Sequence, residues 1–489
     1  MDAQTIDSIV AEVLSKLNGG ANGTPPPAQP GKMPASWKRP LHSGRGSLPG
    51  VFAEAKDAAA AARAAFEELR PKGYAAREKI VRIVKTMCAE KAEEWGKLEL
   101  AETKIGRLDH KIAKLQGIPN VPGVEWIKPY GMSGDSGITL EERSPFGVVA
   151  AITPVTHSIP TLAANVISMV AAGNTVVVNA HPGGARCAAE AVGAFNRAIE
   201  REVGVTNVIT IVEQPTIESF NEICASPDVA LLCITGGPAV VKAALKSGKR
   251  AICAGPGNPP VVVDVSADLN KAARDVIVGA AFDNNLLCIG EKQIFVLDDI
   301  WKDFIQAMKQ AGAEQLNASQ LDRLTAEAFT FKEDGGGCSH PVLKRDLVGA
   351  DATRLAEVAG LRVSDRCELL FAETDFEHPF VQEEQMMPCI PLVRARNIDE
   401  AIAMAKESEH GYKHSAMIHT MNVRHMTEMG RALDATLFVK NGASIAGLGM
   451  GGEGYASFSV ATTTGEGITT PMTFTRTRRC VLVDNLNIA

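Results

Sequence analysis

Apolar and polar residues alternate in blocks along the middle of the chain, and these blocks predict strands and helices in turn. Short, almost continuously apolar runs are each followed by a longer amphipathic run. The runs predicted as strands are GVVAAIT (147–153), TVVVNA (175–180), NVITIV (207–212), VALLCIT (229–235) and RAICAG (250–255). Strands that lack polar alternation and are separated by helices indicate a parallel sheet covered by helices on both faces.

A second region with the same pattern follows the first. Its strand candidates are PVVVDV, KQIFVLD, LLFAE, CIPLVRAR, SAMIHT and ATLFVKN, and its helix candidates are DLNKAARDVIVGAAF, IDEAIAMAKESEHG and VRHMTEMGRAL. Upstream of both regions, the chain is predicted to be helical from Val51 to about Gln116, and residues 125–146 are predicted to form a hairpin. The pattern therefore predicts two α/β regions.

The N-terminal segment has a different composition from the rest. Residues 1–18 place apolar side chains at helical spacing, and residues 19–48 are rich in Gly, Pro and Ser. The first segment is predicted to be an amphipathic helix and the second a flexible linker. Such a helix either folds back onto this chain or a neighbouring subunit, or docks into a groove on another protein.

Composition excludes several classes of partner. The formal net charge of −7 argues against nucleic acid. No apolar run approaches the roughly 20 residues that cross a membrane, and no secretory signal is recognisable. The ten cysteines include no CxxC pair, which argues against bound zinc and against a disulfide framework. We expect a cytoplasmic protein without a metal ion.

Two short motifs are candidates for chemistry. FDNNLLCIGEK (282–292) sets Cys288 between two asparagines and Gly-Glu-Lys. Thr235, Gly236 and Gly237 end one predicted strand and precede a helix. Small residues at such a turn let the backbone approach a phosphate closely, although a strand-to-helix turn also requires glycine for structural reasons.

Several longer motifs occur in a characteristic order. They are PFGVVAAITP, AAGNTVVVNAHP, ITGGPAVV, AGPGNPPVVVD, FDNNLLCIGEK, EEQMMPCIPLV and KNGASIAGLGMGGEG. In this order they resemble the aldehyde dehydrogenase superfamily, and more narrowly the CoA-acylating aldehyde dehydrogenases of bacterial microcompartments. The resemblance implies the α/β fold of that superfamily, a homodimer or homotetramer, and three parts. They are a Rossmann-like NAD/CoA-binding domain (49–258) with a β arm at about 128–146, a catalytic domain (259–465) and an oligomerisation arm (466–489).

The resemblance makes Cys288 the nucleophile. Its thiolate adds to an aldehyde carbonyl, a hydride leaves to a nicotinamide, and a thioester remains on the sulfur. The negative oxygen of the adduct requires hydrogen-bond donors, which the resemblance places at the Cys288 N–H and the Thr156 hydroxyl. His157 follows Thr156, where many acylating relatives carry asparagine. Whether His157 contacts substrate, tunes the site or only packs stays open.

The residue at position 254 distinguishes two reactions. Hydrolytic relatives carry a glutamate there that activates water, whereas this chain carries Ala254, which cannot act as a base. A thiol needs less activation than water because it ionises more readily. We therefore expect acyl transfer to CoA, with a hydrolytic enzyme that releases a free carboxylic acid as the alternative. A non-catalytic scaffold is disfavoured by the presence of Cys288 and Glu384.

The resemblance also implies the cofactors and their contacts. NAD is expected, with NADP as the alternative because Asn179 replaces a lysine that is common in relatives, and CoA is the co-substrate. Glu384 matches a glutamate that contacts the nicotinamide ribose. The predicted cofactor-binding residues are Thr153, Pro154, Asn179, His181, Thr235, Gly236, Gly237, Gly255, Glu384 and Met386. The candidates for the substrate pocket are His157, Asn285 and Ile445.

The implied substrate is a short-chain aldehyde: acetaldehyde, propionaldehyde or lactaldehyde. Related enzymes use an N-terminal extension as an encapsulation peptide. Residues 1–18 are therefore expected to bind microcompartment shell proteins and to place the chain in the microcompartment lumen.

Overall fold

The computed structural model of the chain describes residues 48–333 and 339–488. The predicted N-terminal helix (1–18) and nearly all of the predicted linker (19–48) lie outside these ranges. Within them, no helix combines the length and the apolar character that crossing a bilayer requires.

Strands and helices alternate along most of the described chain. The strands are β1 (Val51–Phe52), β2 (Tyr130–Gly134), β3 (Gly137–Pro145), β4 (Val148–Thr153), β5 (Thr175–Ala180), β6 (Ile209–Val212), β7 (Val229–Thr235), β8 (Ala251–Ala254), β9 (Pro260–Val263), β10 (Gln293–Leu297), β11 (Glu314–Gln315), β12 (Phe329–Glu333), β13 (Ser339–Leu343), β14 (Leu370–Glu373), β15 (Cys389–Ala395), β16 (Ser415–His419), β17 (Leu437–Lys440), β18 (Val460–Ala461), β19 (Gly467–Ile468) and β20 (Thr475–Val483). The helices are α1 (Ala55–Leu69), α2 (Gly73–Glu90), α3 (Ala92–Thr103), α4 (Leu108–Gln116), α5 (Ser158–Ala171), α6 (Ala185–Val203), α7 (Ile217–Ala225), α8 (Pro238–Lys246), α9 (Leu269–Ala281), α10 (Trp301–Gln310), α11 (Ala318–Ala328), α12 (Ala352–Ala359), α13 (Pro379–Gln382), α14 (Ile398–Ser408) and α15 (Val423–Leu433).

The first large sheet has six parallel strands in the order β1-β6-β5-β4-β7-β8. Chain order reverses at β4, since β5 and β6 lie on one side of it and β7 and β8 on the other. In open parallel sheets, ligands bind beyond the carboxyl ends of the strands at such a reversal. The sheet confirms the first predicted α/β region.

Apolar residues cover both faces of this sheet, which explains why its strands show no polar alternation. Val149 and Ala151 join one core cluster, whereas Val148, Ala150 and Ile152 join the cluster on the opposite face. Successive side chains of a strand point to opposite faces, so a strand buried on both sides must be apolar throughout.

The second large sheet has seven parallel strands in the order β11-β14-β15-β10-β9-β16-β17. It confirms the second predicted region and, with the first sheet, the predicted α/β fold class. Helices α10, α11 and α12, together with the hairpin β12–β13, lie in a part of this region where the sequence pattern predicts no elements.

A three-stranded antiparallel sheet, β2-β3-β20, joins the predicted hairpin to the C-terminal tail. β20 pairs with β3 along its whole length, from Thr475 opposite Pro145 to Val483 opposite Gly137. Strand pairing therefore connects the predicted β arm and the tail. The domain boundaries inferred from the sequence stay predictions.

One sequence-based assignment is wrong at its start. The chain is predicted to be helical from Val51, but Val51 and Phe52 form β1, which pairs in parallel with β6. Helix α1 begins at Ala55. A two-residue strand has no local pattern, because its hydrogen bonds depend on a partner far along the chain.

Candidate active site

The predicted cofactor residues from the first sheet lie at one edge, together with Ala254. Thr153, Thr235 and Ala254 are the last residues of β4, β7 and β8, and Asn179 lies next to the end of β5. Pro154, His181 and Gly255 follow these strands directly. Because the strands are parallel, all their carboxyl ends meet at the crevice where the chain order reverses.

The glycine turn (235–237) leaves its backbone open. A Cβ placed on Gly236 or Gly237 would meet no atom within 4 Å. Gly237 is the N-cap of α8, and because Pro238 has no N–H, the Ala239 N–H is the first helical donor that can attract an anion. The internal packing of the chain therefore does not require glycine here, and the turn fits the close approach of a dinucleotide phosphate. A Cβ on Gly255, by contrast, would collide with the Thr463 hydroxyl.

Asn179 and His181 are engaged within the chain. The Asn179 Oδ1 accepts a hydrogen bond of 2.7 Å from Ser219. The exposed His181 accepts one of 3.1 Å at its Nδ1 from the Gly183 N–H. Both side chains shape the loops at this edge, and their contact with a cofactor stays a prediction.

Cys288 lies in the nucleophile loop (282–292), between α9 and β10. Its side chain is partly exposed, whereas every other cysteine of the described chain is buried, except Cys480 on β20. The loop begins with three residues in the left-handed region, Asp283, Asn284 and Asn285, whose φ angles are 49°, 55° and 65°. Asp and Asn tolerate this conformation better than other non-glycine residues, but each still costs about 1–3 kcal/mol.

Hydrogen bonds to the surrounding chain hold Asn284 and Asn285. The Asn284 amide donates to the Gly349 carbonyl at 2.9 Å and to Asp351 at 2.8 Å. The Asn285 amide donates to the carbonyls of Ala280 and Glu291 at 2.8 and 2.9 Å. Asn285 thus holds the loop together, and a substrate contact from it stays a prediction.

Asp283 connects the nucleophile loop to the predicted oxyanion residue. The Lys114 ammonium donates to the Asp283 carboxylate at 2.5 Å and to the Thr156 carbonyl at 3.2 Å. Lys111 lies 3.9 Å from the same carboxylate and forms a second buried pair with Glu99. The two lysines lower the pKa of Asp283, against the opposing effect of burial. One buried cluster of charges therefore fixes Thr156 relative to the loop that carries Cys288.

Thr156 and His157 precede α5. The Thr156 hydroxyl lies 3.1 Å from the His157 Nε2, so one of these two atoms donates to the other. Burial lowers the pKa of His157 well below its usual value, and the nearby Lys114 lowers it further. Thr156 and the neutral His157 lie next to the N-terminus of α5, which is the positive end of the helix dipole. The His157 ring also packs against Phe458, with 6.0 Å between the ring centroids.

Gly257 lies where three functional groups meet. A Cβ there would lie 2.8 Å from the Cys288 carbonyl oxygen and 2.9 Å from the His414 ring. The Gly257 N–H donates to the Glu384 carboxylate at 3.4 Å. The fold thus brings Glu384 from the predicted cofactor set next to Cys288, together with His414, which the sequence patterns do not single out.

Buried charges control the protonation of these groups. Burial raises the pKa of Cys288 to about 12, and Glu384 raises it further, whereas Lys292 and the N–H groups of Cys288 and Ile289 oppose the rise. Burial, followed by the charge of Lys292, lowers the pKa of His414 to about 4. Near neutral pH the resting site therefore holds a protonated thiol and a neutral imidazole whose Nε2 has no partner in the described chain.

Met386 adopts a strained backbone beside Glu384. Its φ is 49°, and its carbonyl accepts a hydrogen bond of 2.9 Å from the Gly349 N–H. The carbonyl of the same Gly349 accepts from Asn284. Gly349 therefore bridges the loop of Glu384 and Met386 to the nucleophile loop.

A small apolar cavity of about 10 Å³ lies beside the nucleophile loop. Its described lining is Lys114, Gly117, Phe282, Leu287, Ile445, Leu448, Met450, Ala456 and Phe458. Ile445 is thus the pocket candidate that lines it, whereas His157 and Asn285 do not. A larger depression of about 1230 Å³ between α2, α3 and α6 has none of the predicted site residues in its described lining.

The family follows from comparison with known proteins. The aldehyde dehydrogenase family profile matches residues 51–326, more than half of the chain. The chain belongs to the aldehyde dehydrogenase family.

Within the family, the relatives point to one group. Acetaldehyde dehydrogenase (acetylating) EutE of Salmonella typhimurium is 40% identical over 491 residues, which cover 100% of both chains. The structure of a propionaldehyde dehydrogenase from the Clostridium phytofermentans fucose utilisation microcompartment has a TM-score of 0.86 and 41% identity. That match covers 90% of this chain and 100% of the other. A Rhodopseudomonas palustris propionaldehyde dehydrogenase with bound CoA and an acylated cysteine has a TM-score of 0.86 and 40% identity, and covers 90% of this chain and 99% of its own.

Proposed function

We propose that this chain oxidises a short-chain aldehyde to its acyl-CoA, with NAD as hydride acceptor and a thioester on Cys288 as intermediate. Two features together carry the proposal. Cys288 is partly exposed, and the position that would hold a water-activating base is occupied by the buried Ala254. The acetylating and CoA-bound relatives support it. NADP is the alternative cofactor, because a neighbouring structure of an engineered glycolyl-CoA reductase holds NADP+.

The two cosubstrates and the residues of the chain have separate roles in the proposed reaction. NAD supplies a hydride acceptor, and CoA supplies the thiol that takes the acyl group. The Cys288 N–H and the Thr156 hydroxyl stabilise the oxyanion of the adduct, with the N-terminus of α5 behind Thr156. The Nε2 of His414 has no partner in the described chain, and we expect it to accept a thiol proton in the tautomer whose Nδ1–H donates to the Ser415 hydroxyl.

The cavity beside the nucleophile loop supports an apolar environment for the alkyl part of the aldehyde, although neither Cys288 nor Thr156 is in its described lining. Its volume of about 10 Å³ is close to that of a single water site, and apolar side chains form most of its wall. The Lys114 ammonium uses two of its three N–H donors on Asp283 and Thr156, so at most one donor of this side chain remains for a substrate hydroxyl. Leaving a buried hydroxyl unpaired costs about 1–3 kcal/mol. We therefore expect acetaldehyde and propionaldehyde to be preferred over lactaldehyde.

Product analysis separates acyl transfer from hydrolysis. The purified chain is incubated with propionaldehyde and NAD, with and without CoA, and NADH, propionyl-CoA and free propionate are quantified. If the chain transfers the acyl group to CoA, NADH formation is sustained only when CoA is present, and one propionyl-CoA forms per NADH. Equal turnover without CoA, with propionate as the product, would establish the hydrolytic alternative. An Ala254→Glu variant sharpens the test, since a carboxylate at this position is expected to increase propionate formation.

The microcompartment assignment concerns residues 1–18. The Clostridium phytofermentans neighbour comes from a microcompartment, which supports a location of this chain in such a lumen. We infer that residues 1–18 bind shell proteins. Deletion of residues 1–18 should leave CoA-dependent activity unchanged and abolish co-purification with co-expressed shells, whereas continued encapsulation would refute the assignment.

The three-stranded sheet supports oligomer formation. Tyr130, Val481 and Val483 expose 64%, 55% and 59% of their surface on this sheet, although they are large and apolar. Exposed apolar patches of this kind mark contact surfaces. We infer a homodimer or homotetramer, which light scattering of the wild type and a Val481→Asp variant would test. A monomeric wild type would contradict the inference.

A further inference from the structure

Lys292 is a completely buried lysine that the mechanism above does not use. Its side chain is 0% exposed, and its ammonium donates three hydrogen bonds, all to the nucleophile loop. They reach the Asn285 carbonyl at 2.8 Å, the Asn285 Oδ1 at 2.5 Å and the Leu287 carbonyl at 3.3 Å. Removing an ammonium from water is costly, so its burial at this position requires compensation from these partners.

The bond to the Leu287 carbonyl has a geometric consequence for Cys288. The Leu287 C=O and the Cys288 N–H belong to one planar trans peptide, in which they point in opposite directions. The same carbonyl also accepts a hydrogen bond of 3.0 Å from the Gly290 N–H. With the oxygen held on one side, the Cys288 N–H must point to the other, where it faces the sulfur.

The charge on Lys292 acts in the same direction as this geometry. An ammonium at a carbonyl oxygen polarises the peptide and strengthens its N–H as a donor, and this effect grows in a buried environment. The charged or titratable groups that face Lys292 are Cys288, Glu384, Glu291 and His414. Burial raises the pKa of both carboxyl groups, that of Glu291 to about 7, and Glu384 acts on Lys292 more strongly than Glu291 does.

We propose that Lys292 is a positioning residue that orients and polarises the Leu287–Cys288 peptide, so that the Cys288 N–H stabilises the oxyanion of the aldehyde adduct. The proposal rests on the proposed function of Cys288. It gives the buried ammonium a role in the acylation step, beyond that of a tether for the loop. Its effect must therefore appear in the rate of acylation and in the reactivity of the thiol, in addition to any change in stability.

Lys249 provides a control that shares the tether to backbone carbonyls but is only partly buried. Its ammonium also bridges two backbone carbonyls, those of Ser226 at 2.5 Å and Val229 at 2.6 Å, but it lies in the six-stranded sheet region, away from the nucleophile loop. A Lys249→Met variant removes a lysine tether of the same kind. Any effect shared by Lys249→Met and Lys292→Met is structural.

The experiment uses the full chain with Lys292→Met, Lys292→Gln and Lys249→Met. Single-turnover NADH formation with NAD and propionaldehyde measures acylation, and steady-state assays separate kcat from KM. The pH dependence of Cys288 alkylation by iodoacetamide, resolved by peptide mapping, measures thiol ionisation without any substrate. Urea unfolding measures stability.

Lys292→Met is expected to slow the NADH burst about 10²-fold, to change the KM for aldehyde less than threefold and to shift the alkylation profile to higher pH. Lys292→Gln keeps a donor without the charge, so it should recover part of the burst rate and keep the shifted alkylation profile. Lys249→Met should alter only stability. If Lys292→Met does not fold, Lys292→Gln alone tests the charge.

Two results would overturn the proposal. One is a burst rate and an alkylation profile in the folded variants that match those of the wild type. The other is a loss of burst rate in Lys249→Met as large as that in Lys292→Met. Failure of the proposed function looks different, because the wild-type chain would then either form no NADH from propionaldehyde or turn over equally without CoA, while the alkylation profiles would still report on Lys292.

Discussion

The nucleophile loop and the glycine turn (235–237) lie on the two sheets of the same chain and are built in opposite ways. The nucleophile loop is strained and almost fully bonded, with three left-handed residues held by Lys114, Asn284 and Asn285. The glycine turn has backbone hydrogen bonds, but its surface is open, since a Cβ on Gly236 or Gly237 would meet no atom within 4 Å.

The difference corresponds to two tasks. A covalent step requires donors and nucleophile in fixed positions, and a bonded loop supplies this before substrate arrives. A surface that receives one nucleotide, releases it and receives another gains from an open backbone. We therefore expect mutations in the loop to affect stability and kcat, and mutations in the turn to affect KM.

The largest expected effect comes from breaking the Lys114–Asp283 pair. Asp283→Asn keeps the shape and the left-handed conformation but leaves the buried Lys114 without its counter-charge. Removing one partner of a buried pair costs about 3–5 kcal/mol. Urea unfolding should show a loss of this size, with a reduced kcat.

A surface pair provides the control for that measurement. Lys97 and Glu93 form an ion pair of the same length, 2.5 Å, but both side chains are exposed. Lys97→Met should leave the free energy of unfolding unchanged within error. If Asp283→Asn is as stable as Lys97→Met, the cluster does not hold the loop.

The titration of Glu291 is expected to make the free energy of unfolding depend on pH. It accepts hydrogen bonds from the Ser444 N–H and hydroxyl at 2.8 and 2.7 Å, and burial raises its pKa to about 7 from 4.5. Between these values the folded state keeps a proton that the unfolded chain has lost, so the contribution of Glu291 to stability falls as pH rises. The total change is at most about 3 kcal/mol.

Glu291→Gln removes this titration. The difference in unfolding free energy between Glu291→Gln and wild type should increase from pH 5 to pH 7.5 in favour of the variant, and then level off. Urea unfolding across this range measures it. A difference that does not vary with pH would show that Glu291 ionises normally.

Substitutions at Thr156 test the proposed oxyanion site. Thr156→Val removes the proposed oxyanion donor with little change in shape and should lower kcat about 10²-fold. Thr156→Ser keeps the hydroxyl and should stay within a few-fold of wild type. Steady-state kinetics with propionaldehyde compare the two, and equal rates for both variants would remove Thr156 from the oxyanion site.

The smallest effect is expected at the glycine turn. Gly237→Ala places a methyl group in open space, so the free energy of unfolding should change by less than about 0.5 kcal/mol. The KM values for NAD and CoA should rise several-fold, because the methyl group blocks the approach of a phosphate. Unchanged KM values for both would separate this turn from nucleotide binding.

Sequence patterns predict the sheets well because burial on both faces leaves a strong local signal, as in β4 and β5. They also single out Cys288, whose flanking asparagines are the residues that tolerate a left-handed backbone. Lys114 gives no such signal, since a lysine in a helix is usually solvated and its partner Asp283 lies 169 residues away. The sequence around His414 gives no such signal either, because only the fold places His414 beside Gly257.

The position of Lys292 in the sequence, by contrast, does indicate a buried lysine. It stands next to the buried strand β10, after Cys288 and Glu291, and a charged residue at the start of an apolar strand must find a buried partner. Its partners are the backbone carbonyls of Asn285 and Leu287 and the side-chain oxygen of Asn285, whose positions only the three-dimensional structure gives.

The most direct test of the central claim is the fate of an acyl group on the sulfur of Cys288. The chain is mixed with propionaldehyde and NAD without CoA, and peptide mapping by mass spectrometry locates the adduct before and after CoA is added. We predict a propionyl thioester on Cys288 that disappears as propionyl-CoA forms. An adduct on another residue, or one released as propionate at the same rate with and without CoA, would contradict it.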